Sequence, residues 1–204
     1  MLKIAVFIEP EKKTKEKILF FKNQVKYFFG TQKYLNHPPH CTLFTMNVKK
    51  NIYTIKKLKK SLKFSRKYIS SLKTIIKKTG IFKNDHLTDG HTLYLEIKNN
   101  SALIKLQKDL INIFIPYKVN NKKEENSLTL KWMKNNYKKY GYPFVGKYWL
   151  PHMTIASING YSINDKLILK FAKQQLNFLQ KIKYVSVYKI DDDYHEHLWN
   201  IDII

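Results

Sequence analysis

Two histidines in this chain stand where acid–base chemistry can be built. His40 and His152 each precede a threonine by two residues, in His40-Cys41-Thr42 and His152-Met153-Thr154. On a β-strand alternate residues share a face, so each histidine would project beside its threonine, while Cys41, Leu43, Met153 and Ile155 turn inward. Imidazole is the side chain whose ordinary pKa allows both neutral and protonated forms near neutrality. A neutral histidine can take a proton from an attacking oxygen, and a protonated one opposite it can give a proton to a leaving oxygen. The threonine hydroxyls can donate to the non-bridging oxygens of a phosphate held between them. The set suits cleavage of a phosphodiester and calls for no metal or other cofactor.

Short motifs count only in context. Here the context is an internal repeat: residues 39–47, Pro-His-Cys-Thr-Leu-Phe-Thr-Met-Asn, align without a gap on residues 151–159, Pro-His-Met-Thr-Ile-Ala-Ser-Ile-Asn. A repeat so widely separated in the chain implies two related lobes and not a solenoid. Related by an approximate twofold axis, the two strands would face one cleft with two imidazoles and two hydroxyls. A third copy, His86-Leu87-Thr88, sits in turn sequence before Asp89-Gly90 and lacks both the preceding proline and the following apolar run. It is set aside.

The elements that must position these residues read as an α+β mixture. An apolar strand over 3–8 ends at Pro10, and a helix over 14–29 carries Ile18, Phe21, Val25 and Phe28 on one face, closed by Gly30. A strand over 40–48 precedes a lysine-rich helical stretch over 52–76. Further on come a strand over 92–97, a helix over 101–114 with Ser101 as its cap, and a polar loop over 118–126. Residues 128–140 stay ambiguous. A strand from His152, a helix over 164–179 and strands around 184–190 and 198–203 complete the chain. No linker divides it, so residues 1–204 are expected to form a single bilobed domain.

Composition sets the outer bounds. With 44% hydrophobic residues in 204, the chain can bury a core. One cysteine cannot build a disulfide framework, and the N-terminal apolar stretch meets Glu9 and Pro10 too early for a signal peptide. A soluble cytoplasmic protein with no membrane partner, and a monomer, is expected. The net charge of +23 attracts polyanions. Of the 38 basic residues only Arg66 is arginine, the residue that phosphate clamps favour, so part of the charge reflects composition.

Tyr34, Tyr148 and Trp149 lie just upstream of the motifs and could stack on a base, with packing in the cleft wall an equal alternative. His195 and His197, after Asp191, Asp192 and Asp193, suggest a metal site at first sight, but a turn between two final strands explains them more simply. His37 reads as a loop residue. Cys41 points away from His40 and reads as buried and inert. No phosphate-binding glycine loop is present, which leaves nucleoside triphosphate chemistry unsupported.

With paired His-x-Thr motifs on strands, one in each half, the sequence resembles the two-histidine (2H) phosphoesterases, a group that includes 2'-5' RNA ligase-like proteins and 2',3'-cyclic nucleotide phosphodiesterases. The resemblance implies a bilobed α+β fold, with an antiparallel sheet and flanking helices in each of two pseudo-twofold-related lobes around a central cleft. By the same resemblance His40 and His152 form the acid–base pair, and Thr42 and Thr154 hold the phosphate. Bacterial RNA ligase-like members often continue the second motif to an arginine, where this chain has Ser157. The expected activity is hydrolysis of a 2',3'-cyclic phosphate or a 2'-5' linkage in RNA or a small nucleotide. The alternatives are a non-catalytic RNA-binding module and the reverse reaction, RNA end joining.

Overall fold

The computed structural model describes residues 1–49, 72–85, 88–191 and 194–202. Strand β1 (Leu2–Ile8) is followed by α1 (Lys12–Phe29) and β2 (Cys41–Val48), then by β3 (Leu72–Asp85) and β4 (Gly90–Ile97). Helices α2 (Ser101–Phe114), α3 (Lys122–Ser127) and α4 (Lys131–Tyr140) lead to β5 (His152–Ile158) and α5 (Lys166–Ala172). Strands β6 (Gln175–Ile182), β7 (Tyr184–Asp191) and β8 (Tyr194–Asp202) finish the fold. Two antiparallel four-stranded sheets result, in the orders β2-β1-β7-β8 and β5-β4-β3-β6. The expected α+β class with two sheets and flanking helices is what the chain adopts.

The two sheets repeat one plan. In each, a central strand leads through a helical connection to an edge strand carrying a His-x-Thr segment: β1–α1–β2 in the first, and β4–α2–β5, with α3 and α4 added after α2, in the second. The helices cross over. Helix α1 packs on β5 of the second sheet, and α2 packs on β2 of the first, where Phe114 meets Phe44 edge-on with ring centroids 5.3 Å apart. Each half thus buries the motif strand of the other, and one apolar cluster draws on both sheets.

The apolar spacing of α1 buries Ile18, Phe21, Val25 and Phe29; Phe28, placed on that face by the sequence, is instead 47% exposed. Gly30, at φ 70°, ends the helix in a conformation that side chains other than glycine's strain to adopt.

Several sequence expectations need correction. Residues 52–71 of the lysine-rich helical stretch lie outside the described residues, and 72–76 open β3 instead. Buried Leu72, Thr74 and Ile76 alternate there with more exposed Lys73 and Ile75, which is strand periodicity. The cap of α2 is Asn100, whose side chain accepts from Leu103 N, and not Ser101. The polar loop over 118–126 contains α3, capped by Asn121. The helix expected over 164–179 stops at Ala172, because Gln175–Ile182 pairs with β3. There half-buried Leu176 and Phe178 alternate with exposed Gln175, Asn177 and Leu179, which is strand periodicity, whereas Leu176 and Leu179 also continue the helical spacing of Ile168 and Ala172.

Both motif strands carry the same irregularity. Across from β2, Phe7 pairs with Thr42 and Val6 with Phe44, leaving Leu43 as an extra residue. Across from β5, Tyr94 pairs with Thr154 and Leu93 with Ala156, leaving Ile155 as the extra residue. Leu43 and Ile155 are equivalent positions of the repeat, so the β-bulge is repeated with it. In β2 the bulge carbonyl is satisfied by Gln107 of α2, which is fully buried and donates from Nε2 to Leu43 O (2.8 Å) and Phe144 O (2.9 Å), while its Oε1 accepts from Gly146 N (3.0 Å). Replacing Gln107 by leucine would leave three backbone groups without that partner. Gln107→Leu is expected to lower unfolding free energy by about 3 kcal/mol, read as a shift of the urea midpoint at unchanged slope.

Candidate active site

His40 and His152 sit at the entry to their strands, each preceded by a proline. Proline forces the residue before it into an extended conformation, which presents the carbonyls of Pro38 and Leu150 to the rings two residues later. His40 Nδ1 lies 2.7 Å from Pro38 O, and His152 Nδ1 lies 2.8 Å from Leu150 O. A carbonyl only accepts, so both Nδ1 atoms carry the proton. Each neutral ring therefore keeps its lone pair on Nε2. His40, Thr42, His152 and Thr154 are half-buried, whereas Cys41, Leu43, Met153 and Ile155 are fully buried. The alternation expected from the sequence is present in both strands.

The two motifs meet. β2 and β5 are edge strands in contact with each other, and Trp149 Nε1 donates to Thr42 O at 3.0 Å. The buried Cys41 thiol faces the backbone of His152, and burial pushes its pKa up to about 12. Cys41 is thus a packing residue, as the sequence suggested.

The loop that delivers His40 is fastened from two sides. Lys33 O accepts from Ser157 N (2.9 Å) and Gln32 Oε1 from Asn159 N (2.9 Å). From beneath, the buried Lys22 of α1 donates to the carbonyls of Tyr34, Leu35 (3.1 Å) and His37 (2.9 Å). Burial pulls the Lys22 ammonium down to about 8.

The surroundings of the two histidines differ. Phe7 stacks on His40 with centroids 3.9 Å apart, and His195 (5.6 Å) stands edge-on to the ring. His37 lies 5.1 Å from His195. His152 is flanked by Phe82 (5.1 Å) and Tyr94 (5.3 Å), and Tyr94 in turn lies flat over Gly80, where no Cβ would fit. Burial lowers the pKa of both histidines. On His40, taken down to about 3, the Pro38 bond works in the other direction, but His195, His37 and Lys22 all oppose protonation. On His152 the Leu150 bond and the carboxylate of Asp85 favour it.

The three aromatic residues expected near the site part company. Tyr34 stands over His37 at 5.0 Å and so joins the imidazole group. Tyr148 stacks face to face on Trp132, with centroids 4.3 Å apart. Trp149 is 4% exposed and serves as the wall between the lobes. Ser157, standing where an arginine was sought, is fully buried and donates to Thr88 Oγ1 (2.6 Å) in a hydroxyl chain that reaches Asp85 through Thr92. Of the set-aside third motif, His86 and Leu87 lie outside the described residues. Among the described residues no group of three His, Cys, Asp or Glu side chains is disposed to hold a metal.

Residues 15–193 match the model of the 2'-5' RNA ligase superfamily. No curated protein matches the chain in sequence. Among solved structures the fold is similar to the TT0787 protein of Thermus thermophilus, at 10% identity and a TM-score of 0.65 over 99% of this chain and 98% of that one. It is similar also to E. coli LigT complexed with NADP+, at 11% identity and a TM-score of 0.62 over 99% and 98% of the two chains. The architecture is that of the bilobed 2H phosphoesterases. The chain belongs to the 2'-5' RNA ligase superfamily. That membership carries phosphodiesterase chemistry on RNA or nucleotides in general terms. No helix among the described residues is long and apolar enough to cross a membrane.

The lowered pKa of His40 has a consequence for stability. The folded state binds fewer protons there than the unfolded chain, whose histidine titrates near 6.5. The stabilisation from the neutral ring is full above that pH and is lost progressively as pH falls below it. Wild type is expected to lose urea resistance between pH 7 and pH 5, and His40→Gln to lose less, measured as the two urea midpoints of each protein.

Proposed function

We propose that the protein hydrolyses a 2',3'-cyclic phosphate or a 2'-5' phosphodiester in RNA or a small nucleotide, by acid–base catalysis between two histidines and without a metal. The observation that carries this reading is the pair of Nδ1–carbonyl bonds, which leave Nε2 of each histidine as its proton-handling atom, on two motif strands that touch. His40, whose charged neighbours all oppose protonation, is the base: Nε2 takes a proton from water as the water oxygen bonds to phosphorus. His152, which Asp85 favours in its charged form, is the acid: Nε2–H gives its proton to the ribose oxygen as the P–O bond breaks. A phosphomonoester and a free ribose hydroxyl result. Thr42 and Thr154 donate to the non-bridging oxygens, and the anionic phosphate raises both imidazole pKa values towards the working range.

The test is turnover in EDTA on 2',3'-cyclic nucleotides, a cyclic-phosphate-ended RNA and 2'-5' oligoadenylate. His40→Ala and His152→Ala are each expected to reduce kcat/KM by about a thousandfold or more, with a bell-shaped pH profile for wild type. Near-normal turnover in either variant would overturn the mechanism. RNA binding by wild type without any product would favour the non-catalytic binding module.

A further inference from the structure

The two lobes repeat their motif strands but not what surrounds the histidines. Around His152 the neighbouring rings are Phe82 and Tyr94. Around His40, beyond the stacked Phe7, the ring is His195 of β8, and His195 in turn stands against His37 of the loop after α1. If these rings only supported His40, phenyl groups would serve as they do in the other lobe. Imidazoles add N–H donors, and each can take up charge when an anion arrives. Lys22 donates to His37 O at 2.9 Å, fixing that backbone and adding a positive charge behind it. The charged groups acting on His40 are His195, His37 and Lys22, all cationic when protonated and none a carboxylate. His37 and His195 are half-buried, placed between core and solvent.

Building on the phosphodiesterase reading above, we propose that His37 and His195 form, beside His40, a second phosphate subsite that takes a further phosphate group of a substrate carrying at least two. The substrate then lies with one phosphate between His40 and His152 and another on the imidazole pair, with Tyr34 at the rim. Its remaining nucleoside surface faces the Phe82–Tyr94 side. The subsite selects phosphorylated nucleotides and oligonucleotides over nucleosides with a single phosphate.

Calorimetric titration of the full chain with adenosine 3',5'-bisphosphate and with adenosine 3'-monophosphate tests this without turnover. Wild type is expected to bind the bisphosphate about tenfold more tightly, the value of one or two charge-assisted hydrogen bonds. In the double variant His37→Phe/His195→Phe, which keeps a ring at both positions and removes the donors, the ratio should fall to about twofold or less. The loss should fall on the bisphosphate. No preference in wild type, or a parallel loss of both ligands in the variant, would overturn the subsite and leave the rings as supports of His40. A preference that depends on these residues in a protein without turnover would instead overturn the hydrolytic reading alone.

Discussion

The structure of the site depends on one hydrogen bond made twice: from the Nδ1–H of a histidine to the carbonyl two residues before it. That bond sets the tautomer, and the tautomer decides which nitrogen can handle a proton. It is available because Pro39 and Pro151 hold the preceding residue extended, and because proline has no N–H to bring a competing ladder bond. Each proline thus has a chemical reason to precede its histidine. The strand then begins at once, and the threonine two positions on inherits the same face. A bulge follows directly, at Leu43 in one strand and Ile155 in the other. It bends the strand just past the threonine, so that Leu43 and Phe44 in one strand and Ile155 and Ala156 in the other are all buried.

Holding two edge strands against one another is the second requirement, since an edge carries unpaired backbone groups. The fold meets it by exchange. Helix α1 comes from the first half and covers β5; α2 comes from the second and covers β2. Neither half can then bury its own motif strand without the other. Gln107 on α2 satisfies the carbonyl that the bulge in β2 frees, and Trp149 ties the backbone of Thr42 to the chain leading into His152. These are polar contacts in a largely apolar interface, where an unsatisfied group costs more than its bond contributes. They fix the register of two strands that have no ladder between them.

What was legible in the sequence follows from locality. The two His-x-Thr strands, the helices α1 and α2 and the inward position of Cys41 depend on residues close in the chain, and period and proline placement expose them. The strand β6 was hidden because Leu176 and Leu179 continue the helical spacing of Ile168 and Ala172, and only its pairing with β3 decides between strand and helix. Trp149 was ambiguous for a related reason. An aromatic beside a motif can stack on a ligand or fill a wall, and the choice rests on Thr42, more than a hundred residues away. The meeting of His37 with His195 gave no signal at all. It joins a loop after α1 to β8, more than a hundred residues apart in the chain, and rests on β7 and β8 completing the first sheet in the order β2-β1-β7-β8. The extra residue Leu198, where the pairing of β7 with β8 slips, contributes local twist to that sheet.

Two equal strands would make two equal histidines, and acid–base chemistry needs unequal ones. The motif strands, their bulges and the Nδ1 bonds are all repeated, so none of them can supply the difference. It has to come from residues outside the repeat. In the first lobe these are His37, His195 and Lys22, which raise the cost of a proton on His40. In the second it is Asp85, held by the Thr92 hydroxyl at 2.6 Å, which lowers the cost on His152. The buried hydroxyls of Thr88 and Ser157 continue that chain into the core. Ser157 therefore bears on the site from behind, through the support of Asp85, and not as a replacement for a phosphate-clamping arginine. Under the proposed mechanism the repeat would supply the geometry for phosphodiester cleavage, and the departures from it would divide the labour between base and acid.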